Sequence, residues 1–402
     1  MTSTPASLSH TPICADATTS GHHVNVANSI VACQRLREPW LELRRRMGIL
    51  TPNADPDRFL AIVNALPGVR PYVVLFREGS ELRALMVGRI ENRALRYRIG
   101  YVPLRTPCLR CLDIVYGGML VTDTPTDKAV VLRYIRNLLD RSSVDCLTCN
   151  HLRKDHSLAA ELTVSSTTTT CEPHFVRELV PGLIDKTLAR HSSAHRGKIR
   201  RYDRILCKAF GGDIVLRVFS RPDEVSEFLR QTSSIASKTY QHELGVAVED
   251  TKLWRAILTV EASAGRMRSY VLTGGGRPIA YQNGVLYDHT YFCDGRGYDP
   301  HYRELRPGNA LSHRIAADLC ACGCEQIDYG FGDADYKRVY ATDHWEEVTV
   351  HAYGRNSKAR LAATLSTLIR AVSSALARMA ACAGILRRIK NVWRRKMARD
   401  GT

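Results

Sequence analysis

The chain has 402 residues, more than one compact core usually holds, so two domains are expected. Hydrophobic residues make up 45% and charged residues 24%, the balance of a globular protein, and the formal net charge is +17. No apolar run approaches the roughly 20 residues of a membrane span, and residues 1–30 lack the basic start and apolar stretch of a secretion signal. We therefore predict a cytoplasmic protein with a disordered lead-in over 1–30.

The first half predicts strands, then one helix and one more strand. The predicted strands are Tyr72–Phe76, Leu82–Ile90, Leu95–Tyr101, Ile114–Val121 and Val144–Cys149, with the helix at Asp127–Leu139.

The second half repeats this plan. Its predicted strands are Asp213–Phe219, Met267–Leu272, Ile279–Leu286, Thr290–Cys293, Ile327–Gly330 and Glu346–Tyr353, with helices at Pro222–Ser237, Asp250–Ala264 and Pro307–Cys322. Repetition of this order predicts a duplicated α/β unit, that is, a mixed (α+β) sheet with helices packed on its faces. The polar run Ser165–Thr170 marks the seam. The predicted domains are 31–165 and 172–355, followed by a basic helix over 356–402.

Four cysteines in the first half form two Cys-x-x-Cys pairs, Cys108/Cys111 and Cys146/Cys149. Such pairs can build a tetrahedral zinc site. They are separated by roughly 34 residues, more than in compact zinc motifs, and the second pair lies in an apolar strand pattern. We expect reduced, buried thiols and no metal, with zinc as the open alternative.

The segment Arg306-Pro307-Gly308-Asn309-Ala310 stands at the predicted start of a helix. Proline suits the first helical turn, and Gly308 allows a ligand to approach the backbone closely. Exposed N–H groups and the positive end of the helix dipole there favour a phosphate. A simple turn is the competing interpretation.

A second segment, Asp328–Lys337, follows directly after an apolar strand and carries three carboxylates, two glycines, two tyrosines and a lysine. Ligands of open α/β sheets gather at strand ends. An acidic surface loop is the competing interpretation. A third segment, Arg190–Arg204, predicts a basic helix, which is either a solvated face or a site for an anionic substrate.

Together these segments resemble the CelD/BcsL-type acetyltransferases, a BioF-like branch of the GNAT superfamily related to the Fem peptidyltransferases. The resemblance rests on Ser193-x-x-x-x-Lys198-x-x-Arg201, on Pro307–Leu311 and on Asp328–Lys337. It covers roughly 172–350 well and 35–160 as a weak first repeat. It implies tandem GNAT-like domains and direct transfer of an acyl group, such as acetyl, from acyl-CoA.

The resemblance also implies roles for individual residues. Arg306, Gly308, Asn309 and Ala310 would bind acyl-CoA, and Tyr336 would be the catalytic acid. Asp328 or Asp333 would be the base, with the choice left open. Lys198, Arg201 and Lys337 would hold an anionic acceptor, such as a phosphorylated sugar or a polysaccharide precursor.

Two alternatives remain. GNAT enzymes usually have Gln or Arg where this chain has Leu305, which leaves room for a Fem-like transferase that takes an aminoacyl group from tRNA. A non-catalytic, membrane-associated assembly protein is the other alternative, and it depends on the tail. From Asn356 onward there are eleven basic residues and one acidic residue. Apolar residues at helical spacing predict an amphipathic helix that contacts the inner face of a membrane peripherally.

Overall fold

A computed structural model describes residues 17–382 apart from 20, 95–96, 100–101, 105–106, 166–167, 240–241 and 243–246. The strands are β1 (Ala17–Thr19), β2 (His22–Ala27), β3 (Arg70–Glu78), β4 (Glu81–Ala94), β5 (Tyr97–Ile99), β6 (Val102–Leu104), β7 (Cys108–Val121), β8 (Cys146–Arg153), β9 (Thr168–Glu178), β10 (Ile214–Phe219), β11 (Ser269–Gly274), β12 (Arg277–Tyr287), β13 (Thr290–Tyr298), β14 (Gln326–Phe331) and β15 (Asp343–Tyr353). The helices are α1 (Ile30–Arg35), α2 (Arg37–Arg46), α3 (Pro56–Ala65), α4 (Pro125–Asp140), α5 (Ser157–Ser165), α6 (Ile184–Ala189), α7 (Ser193–Ala209), α8 (Val225–Ala236), α9 (Lys252–Ser263), α10 (Pro307–Ala321), α11 (Asp335–Tyr340) and α12 (Ser357–Cys382).

Thirteen of these strands form one mixed sheet that contains the same pattern twice. In the first half β2, β3, β4 and β7 are antiparallel neighbours, and α4 crosses over so that β8 runs parallel to β7. In the second half β10 to β13 are antiparallel neighbours, and α10 crosses over so that β14 runs parallel to β13. The repetition confirms the predicted mixed α/β fold with two similar halves.

The halves are joined because each supplies a strand to the other. The centre of the sheet has the order β8-β15-β9-β14. Strand β9 follows the first half in sequence but pairs with β14, whereas β15 follows β14 in sequence but pairs with β8. The two strands also pair with each other. Neither half can therefore be separated without breaking backbone hydrogen bonds of the other.

Strand β3 shows how the sequence alternation builds the two layers around the sheet. Tyr72, Val74 and Phe76 point into the core shared with α4 and α5, and Val73 and Leu75 point into the core shared with α1 to α3. Side chains alternate between the two faces of a strand, so a strand that is apolar throughout is covered on both faces. The second half is covered in the same way, by α6, α7, α10 and α11 on one face and by α8 and α9 on the other.

A buried ion network also joins the halves. Arg58 on α3 binds Asp294 on β13 at 2.8 and 3.0 Å and lies 3.3 Å from Glu261 on α9. Arg266 binds the same Glu261 at 2.7 Å and reaches Asp55 at 3.4 Å. Removing one partner of such a buried set leaves an uncompensated charge, at a cost of about 3–5 kcal/mol. Asp294 belongs both to this network and to the cleft described below.

Two expectations about disorder and boundaries are corrected. The prediction of disorder is wrong for His22–Ala27, because this segment is a strand paired with β3 and His22 lies 2.7 Å from Asp127 in the core. The polar run at the predicted seam is not a linker throughout, because Thr168–Thr170 form the start of β9 and pair with β15. Threonine suits a strand as well as a loop, so composition alone misleads at this point.

The C-terminal helix is described as far as Cys382, and the basic end at 383–402 lies outside the described residues. Within the described residues, no helix combines the length and the hydropathy that crossing a bilayer would require.

Candidate functional site

The candidate site is a cleft between β13 and β14, where the two parallel strands diverge. They pair only from Thr290 to Phe292, opposite Gln326 to Asp328. Beyond this point β13 continues along β12, while β14 shifts register against β9 and bends at Gly330, whose φ is 71°. The divergence opens a cavity of about 360 Å³, lined by residues 292–296 and 328–331 and by α11.

The first half contributes part of the wall of this cleft. Pro52, Asn53 and Tyr116 line it together with residues of the second half. Phe331, at the end of β14, stacks on the imidazole of His151 in β8, with ring centroids 3.4 Å apart. The cleft is therefore built by both halves and depends on how they are joined.

Asp328 lines the cleft and is held by a buried histidine. His174 on β9 is fully buried, and its Nε2 lies 2.8 Å from Asp328 Oδ1. The Gly330 N–H donates to the same oxygen at 2.7 Å. On the other side of the ring, His174 Nδ1 lies 3.0 Å from Oε1 of the fully buried Glu347. The aromatic ring of Trp345 stacks on the imidazole at 4.4 Å.

The pKa of His174 is raised to about 9. Burial alone would lower it, but the hydrogen bonds and charges of Asp328 and Glu347 outweigh burial. His174 is therefore an imidazolium near neutral pH, hydrogen-bonded to Asp328 through Nε2 and paired in charge with Glu347 on its Nδ1 side. It fixes the orientation of Asp328 by holding its Oδ1 atom. The other oxygen, Oδ2, has no hydrogen bond among the described residues.

Tyr336 lies in the first helical turn after the cleft and is covered by an arginine. The guanidinium of Arg296 on β13 stacks over the Tyr336 ring, with its central carbon 4.1 Å from the centroid. Arg296 Nη2 also donates to the Gly308 carbonyl at 2.9 Å and to Ser312 Oγ at 3.0 Å. Arg296 Nη1 is buried without a hydrogen-bond partner. A cation with an unused donor thus lies between Tyr336 and the start of α10.

The start of α10 has the geometry of an anion site, but it offers fewer free N–H groups than the sequence suggests. Arg306 is the N-cap in the left-handed conformation with φ 54°, and Pro307 is the first helical residue. The Asn309 and Ala310 amides both donate to the Arg306 carbonyl, at 3.0 and 3.4 Å. The first turn therefore offers chiefly the Gly308 N–H and the helix dipole.

The side chains of this segment differ in exposure. Arg306 is exposed, whereas Ala310 is packed in the core. A Cβ on Gly308 would lie 3.4 Å from Arg296 Nη2 and 3.7 Å from the Tyr298 ring. A side chain at position 308 would therefore contact Arg296 and Tyr298, and the Gly308 N–H with the helix dipole suits the phosphate of a donor such as acyl-CoA.

Lys337 lines the cleft but is engaged with the backbone. It is 7% exposed, and its Nζ donates to the Gly330 carbonyl at 3.1 Å and to the Phe331 carbonyl. Burial lowers the pKa of Lys337, although the nearby Cys293 and Asp328 oppose this effect. These contacts hold the turn after β14 in place.

Three other predicted residues lie away from the lining of this cleft. Asp333 is exposed and forms an ion pair with Arg338. Lys198 and Arg201 are exposed on α7, which packs on α10 through Ile199 and other apolar residues. The structure thus brings Asp328, Tyr336 and Lys337 together with the start of α10, and leaves Asp333, Lys198 and Arg201 on the surface.

Cys293 also lines the cleft, and burial raises the pKa of its thiol to about 11. It is therefore protonated near neutral pH and is a poor nucleophile. The four cysteines of the two Cys-x-x-Cys pairs do not converge either. Cys111 and Cys146 lie opposite each other on β7 and β8, Cys149 points into the core on the other face, and Cys108 is exposed. Among the described residues no group of three or more metal-ligating side chains is arranged to hold an ion.

Three residues of the site were not predicted from the sequence: His174, Glu347 and Arg296. His174 and Glu347 are single residues in strands β9 and β15, and no local spacing distinguishes them from core residues. Arg296 lies in a Gly-Arg-Gly run, residues 295–297. This run could have indicated Arg296 as a site residue, because glycines that flank a cation in a strand indicate a close approach of other groups.

Residues 193–338 match the family model described as an acetyltransferase (GNAT) domain. No curated protein matches the chain. Among solved structures, the C-terminal domain (DUF2156) of a protein named as a lysylphosphatidylglycerol synthetase from Agrobacterium fabrum is similar at TM-score 0.51 and 10% identity, covering 85% of this chain and 98% of that one.

Two further structures have TM-scores of 0.49. FemX is 10% identical and covers 72% of this chain and 90% of its own. A tandem GNAT protein from the clavulanic acid biosynthesis pathway is 13% identical and covers 83% of this chain and 100% of its own. At these identities the structural likeness concerns the fold, and the activity is indicated by the domain match at the cleft. Residues 193–338 form a GNAT acetyltransferase domain, and the chain is an acyltransferase of the EC 2.3.1 class.

Proposed function

We propose that this acyltransferase moves an acetyl or other acyl group from acyl-CoA to an amine or hydroxyl of a sugar or cell-envelope polysaccharide precursor. The observation that carries the proposal is the convergence of Asp328, Tyr336 and Arg296 on the cleft between β13 and β14, within the segment that matches the GNAT domain. The resemblance of Pro307–Leu311 and Asp328–Lys337 to the CelD/BcsL type supports a sugar as acceptor.

The donor would lie along the cleft with its phosphates at the start of α10. The Gly308 N–H and the positive end of the helix dipole favour an anion there, and the exposed Arg306 adds a charge. When bound, acyl-CoA supplies an activated thioester. Arg296, with its unused Nη1 donor, is placed to bind either a phosphate oxygen or the thioester carbonyl.

Proton transfer would be shared between Asp328 and Tyr336. Asp328 would take the proton from the attacking amine or hydroxyl through Oδ2, because His174 and Gly330 already hold Oδ1. As the new bond to the acyl carbon forms and the carbon–sulfur bond breaks, Tyr336 would give its proton to the departing sulfur. Solvent would then return the proton to Tyr336 and remove the one on Asp328. A positioned proton donor or acceptor typically raises the reaction rate by about 10²–10⁴-fold.

The acceptor would enter from the side where the first half closes the cleft, past Asn53 and Tyr116. The exposed basic residues of α7, including Lys198 and Arg201, would attract an anionic acceptor from solution without contacting the reacting atoms. Asp333 lies outside this geometry, so we propose Asp328 as the base.

The experiment is to incubate the full chain with acetyl-CoA and a panel of amino sugars, phosphorylated sugars and nucleotide sugars, and to measure thiol release and product mass. We expect thiol release that depends on the acceptor. Asp328→Asn should lower the activity at least about 100-fold. The matched variant Asp335→Asn, which alters an exposed carboxylate seven residues further along the chain, should have near-normal activity.

Release that does not depend on any acceptor would refute the proposed reaction. Deacylation of aminoacyl-tRNA instead of acetyl-CoA would identify a Fem-like transferase. Absence of turnover with both donors, together with liposome binding, would favour a membrane-associated assembly role.

A further inference from the structure

Arg177 on β9 is a fully buried cation without a carboxylate partner among the described residues. It is 0% exposed, and its Nε, Nη1 and Nη2 atoms meet no hydrogen-bond acceptor among the described residues. Its guanidinium carbon lies 5.7 Å from the centroid of the Tyr340 ring. Arg177 is also close to the buried Tyr329, where burial raises the pKa of the hydroxyl and the charge of Arg177 opposes this rise. Arginine cannot lose its charge in a protein, and burying an unpaired charge is strongly unfavourable. A side chain of this kind is expected to have an anion as its partner in the working protein.

The backbone explains why Arg177 stays buried. Strand β9 lies between β14 and β15 in the middle of the sheet, where Arg177 is opposite Ile327. Phe175, two residues earlier, packs in the core beneath α7, α10 and α11, and side chains two apart in a strand share a face. The arginine therefore points into the layer of helices and cannot reach solvent by a change of rotamer alone.

Three histidines surround this position, and each has a buried nitrogen without a partner. They are His191 (Nε2), His195 (Nε2) and His313 (Nδ1), and all three rings are only partly exposed. The His191 and His195 rings lie 4.6 Å apart, and the His195 ring lies 5.7 Å from Tyr340. Ser192 caps α7 by accepting the His195 N–H at 3.2 Å, which fixes the first turn of the helix above Arg177.

The electrostatics of these histidines agree with an excess of positive charge. Burial, followed by the charge of Arg177, lowers the pKa of His191 to about 4 and lowers the pKa of His195 as well. Burial also lowers the pKa of His313, although Asp203 opposes this effect. Asp203 is already bound to Arg314 at 3.0 Å. Neutral imidazoles can each donate one N–H, so the cluster offers several donors around one fixed cation.

We propose that Arg177, His191, His195 and His313 form a binding site for a phosphate group between α7, α10 and α11. A phosphate entering between α7 and α10 would receive charge-assisted hydrogen bonds from Arg177 and N–H donors from the histidines. None of these four residues lines the cleft of the candidate active site. The Tyr340 hydroxyl donates to Asn309 Oδ1 at 3.2 Å, so a ligand bound beside Tyr340 would also affect the first turn of α10.

The phosphate could belong to the donor, to the acceptor or to a free anion, and the test separates these sources. Thermal unfolding of the full chain is followed in phosphate-free buffer with added inorganic phosphate. The variant is Arg177→Met, and the matched control is Arg204→Gln, which removes an exposed arginine of α7.

We expect phosphate to raise the Tm of the wild type and of the control but not that of Arg177→Met. We also expect Arg177→Met without phosphate to be at least as stable as the wild type, because the unpaired charge is gone. If Arg177→Met does not fold, the double variant His195→Asn/His313→Asn is used. Both histidines are partly exposed, and we expect this variant to weaken phosphate binding at least about tenfold in calorimetry, which corresponds to about 1.4 kcal/mol.

Two further pairs of ligands identify the source. Stronger Arg177-dependent stabilisation by coenzyme A than by dephospho-coenzyme A assigns the site to the donor. Stronger stabilisation by glucosamine 6-phosphate than by glucosamine assigns it to the acceptor, and an effect of inorganic phosphate alone assigns it to a free anion. Equal stabilisation of the wild type and Arg177→Met by every phosphate, or no stabilisation of the wild type by any, overturns the proposal. Neither result bears on acyl transfer in the cleft, which is assayed separately by thiol release.

Discussion

Replacing His174 by glutamine removes the cation that lies between Asp328 and Glu347. Glutamine is of similar length and can still hydrogen-bond, so the change is mainly one of charge. The side chain is 0% exposed, which means that solvent does not screen its interactions with the two carboxylates. The stability of the protein should therefore report directly on this charge.

The magnitude follows from the pKa of His174. It is raised from 6.5 to about 9, and each unit corresponds to about 1.36 kcal/mol, so the charged form contributes on the order of 3 kcal/mol to folding. Because the folded-state pKa is raised, this contribution is fully present below pH 6.5 and is lost as the pH rises through about 9. His174→Gln should thus lower the free energy of unfolding by on the order of 3 kcal/mol near pH 6, and the deficit should shrink towards pH 10.

The assay is urea unfolding of wild type and variant at several pH values from about 6 to about 10, analysed by linear extrapolation. His23→Gln is the matched control, because His23 also lies on a strand but is exposed. It should follow the wild type at every pH. A deficit that stays constant with pH, or a variant as stable as the wild type near pH 6, would refute the assignment of His174 as a buried imidazolium.

Of four further predictions, two concern the cleft, one the junction of the halves and one the tail. Tyr336→Phe should lower kcat about 100-fold with little change in the KM for the donor, since a lost acid acts on the transition state; a change confined to KM would make Tyr336 a binding residue. Gly308→Val should raise the KM for the donor, because the added side chain would contact Arg296 Nη2, and the Tm should stay within a few degrees. Unchanged affinity for coenzyme A and for tRNA would exclude this segment from the donor site. Arg58→Met should lower the free energy of unfolding by about 3–5 kcal/mol, because it leaves Asp294 and Glu261 without their shared cation; a loss below about 1 kcal/mol in denaturant unfolding would show that the network adds little. Deleting residues 387–402 should reduce binding to anionic liposomes at low salt, whereas no binding by the full-length chain would remove the predicted membrane contact.

Several features of the candidate site could be predicted from the sequence because they depend on local rules. Proline and glycine after Arg306 predicted the start of a helix, and α10 begins at Pro307. The apolar pattern followed by Asp328 and glycines predicted a strand end, and β14 ends at Phe331 after a bend at Gly330, where φ is positive. Each of these features is set by the conformational limits of a few neighbouring residues.

The roles of the two candidate carboxylates could not be separated in this way. Asp328 and Asp333 are five residues apart in the same acidic segment, and composition treats them alike. In the fold one is held by His174 at the wall of the cleft, and the other is exposed beside Arg338. The partner that distinguishes them is 154 residues away from Asp328 along the chain.

The sequence by itself determined the repeated order of strands and helices, because side-chain periodicity follows from the geometry of each element. Only the tertiary structure decided that β9 and β15 are exchanged between the halves and that both halves wall the cleft. The same pairing of distant strands placed His174 between two carboxylates and left Arg177 without a carboxylate partner among the described residues. Such contacts depend on which strands become neighbours, and a pairing between strands far apart in the chain leaves no local periodicity from which it could be predicted.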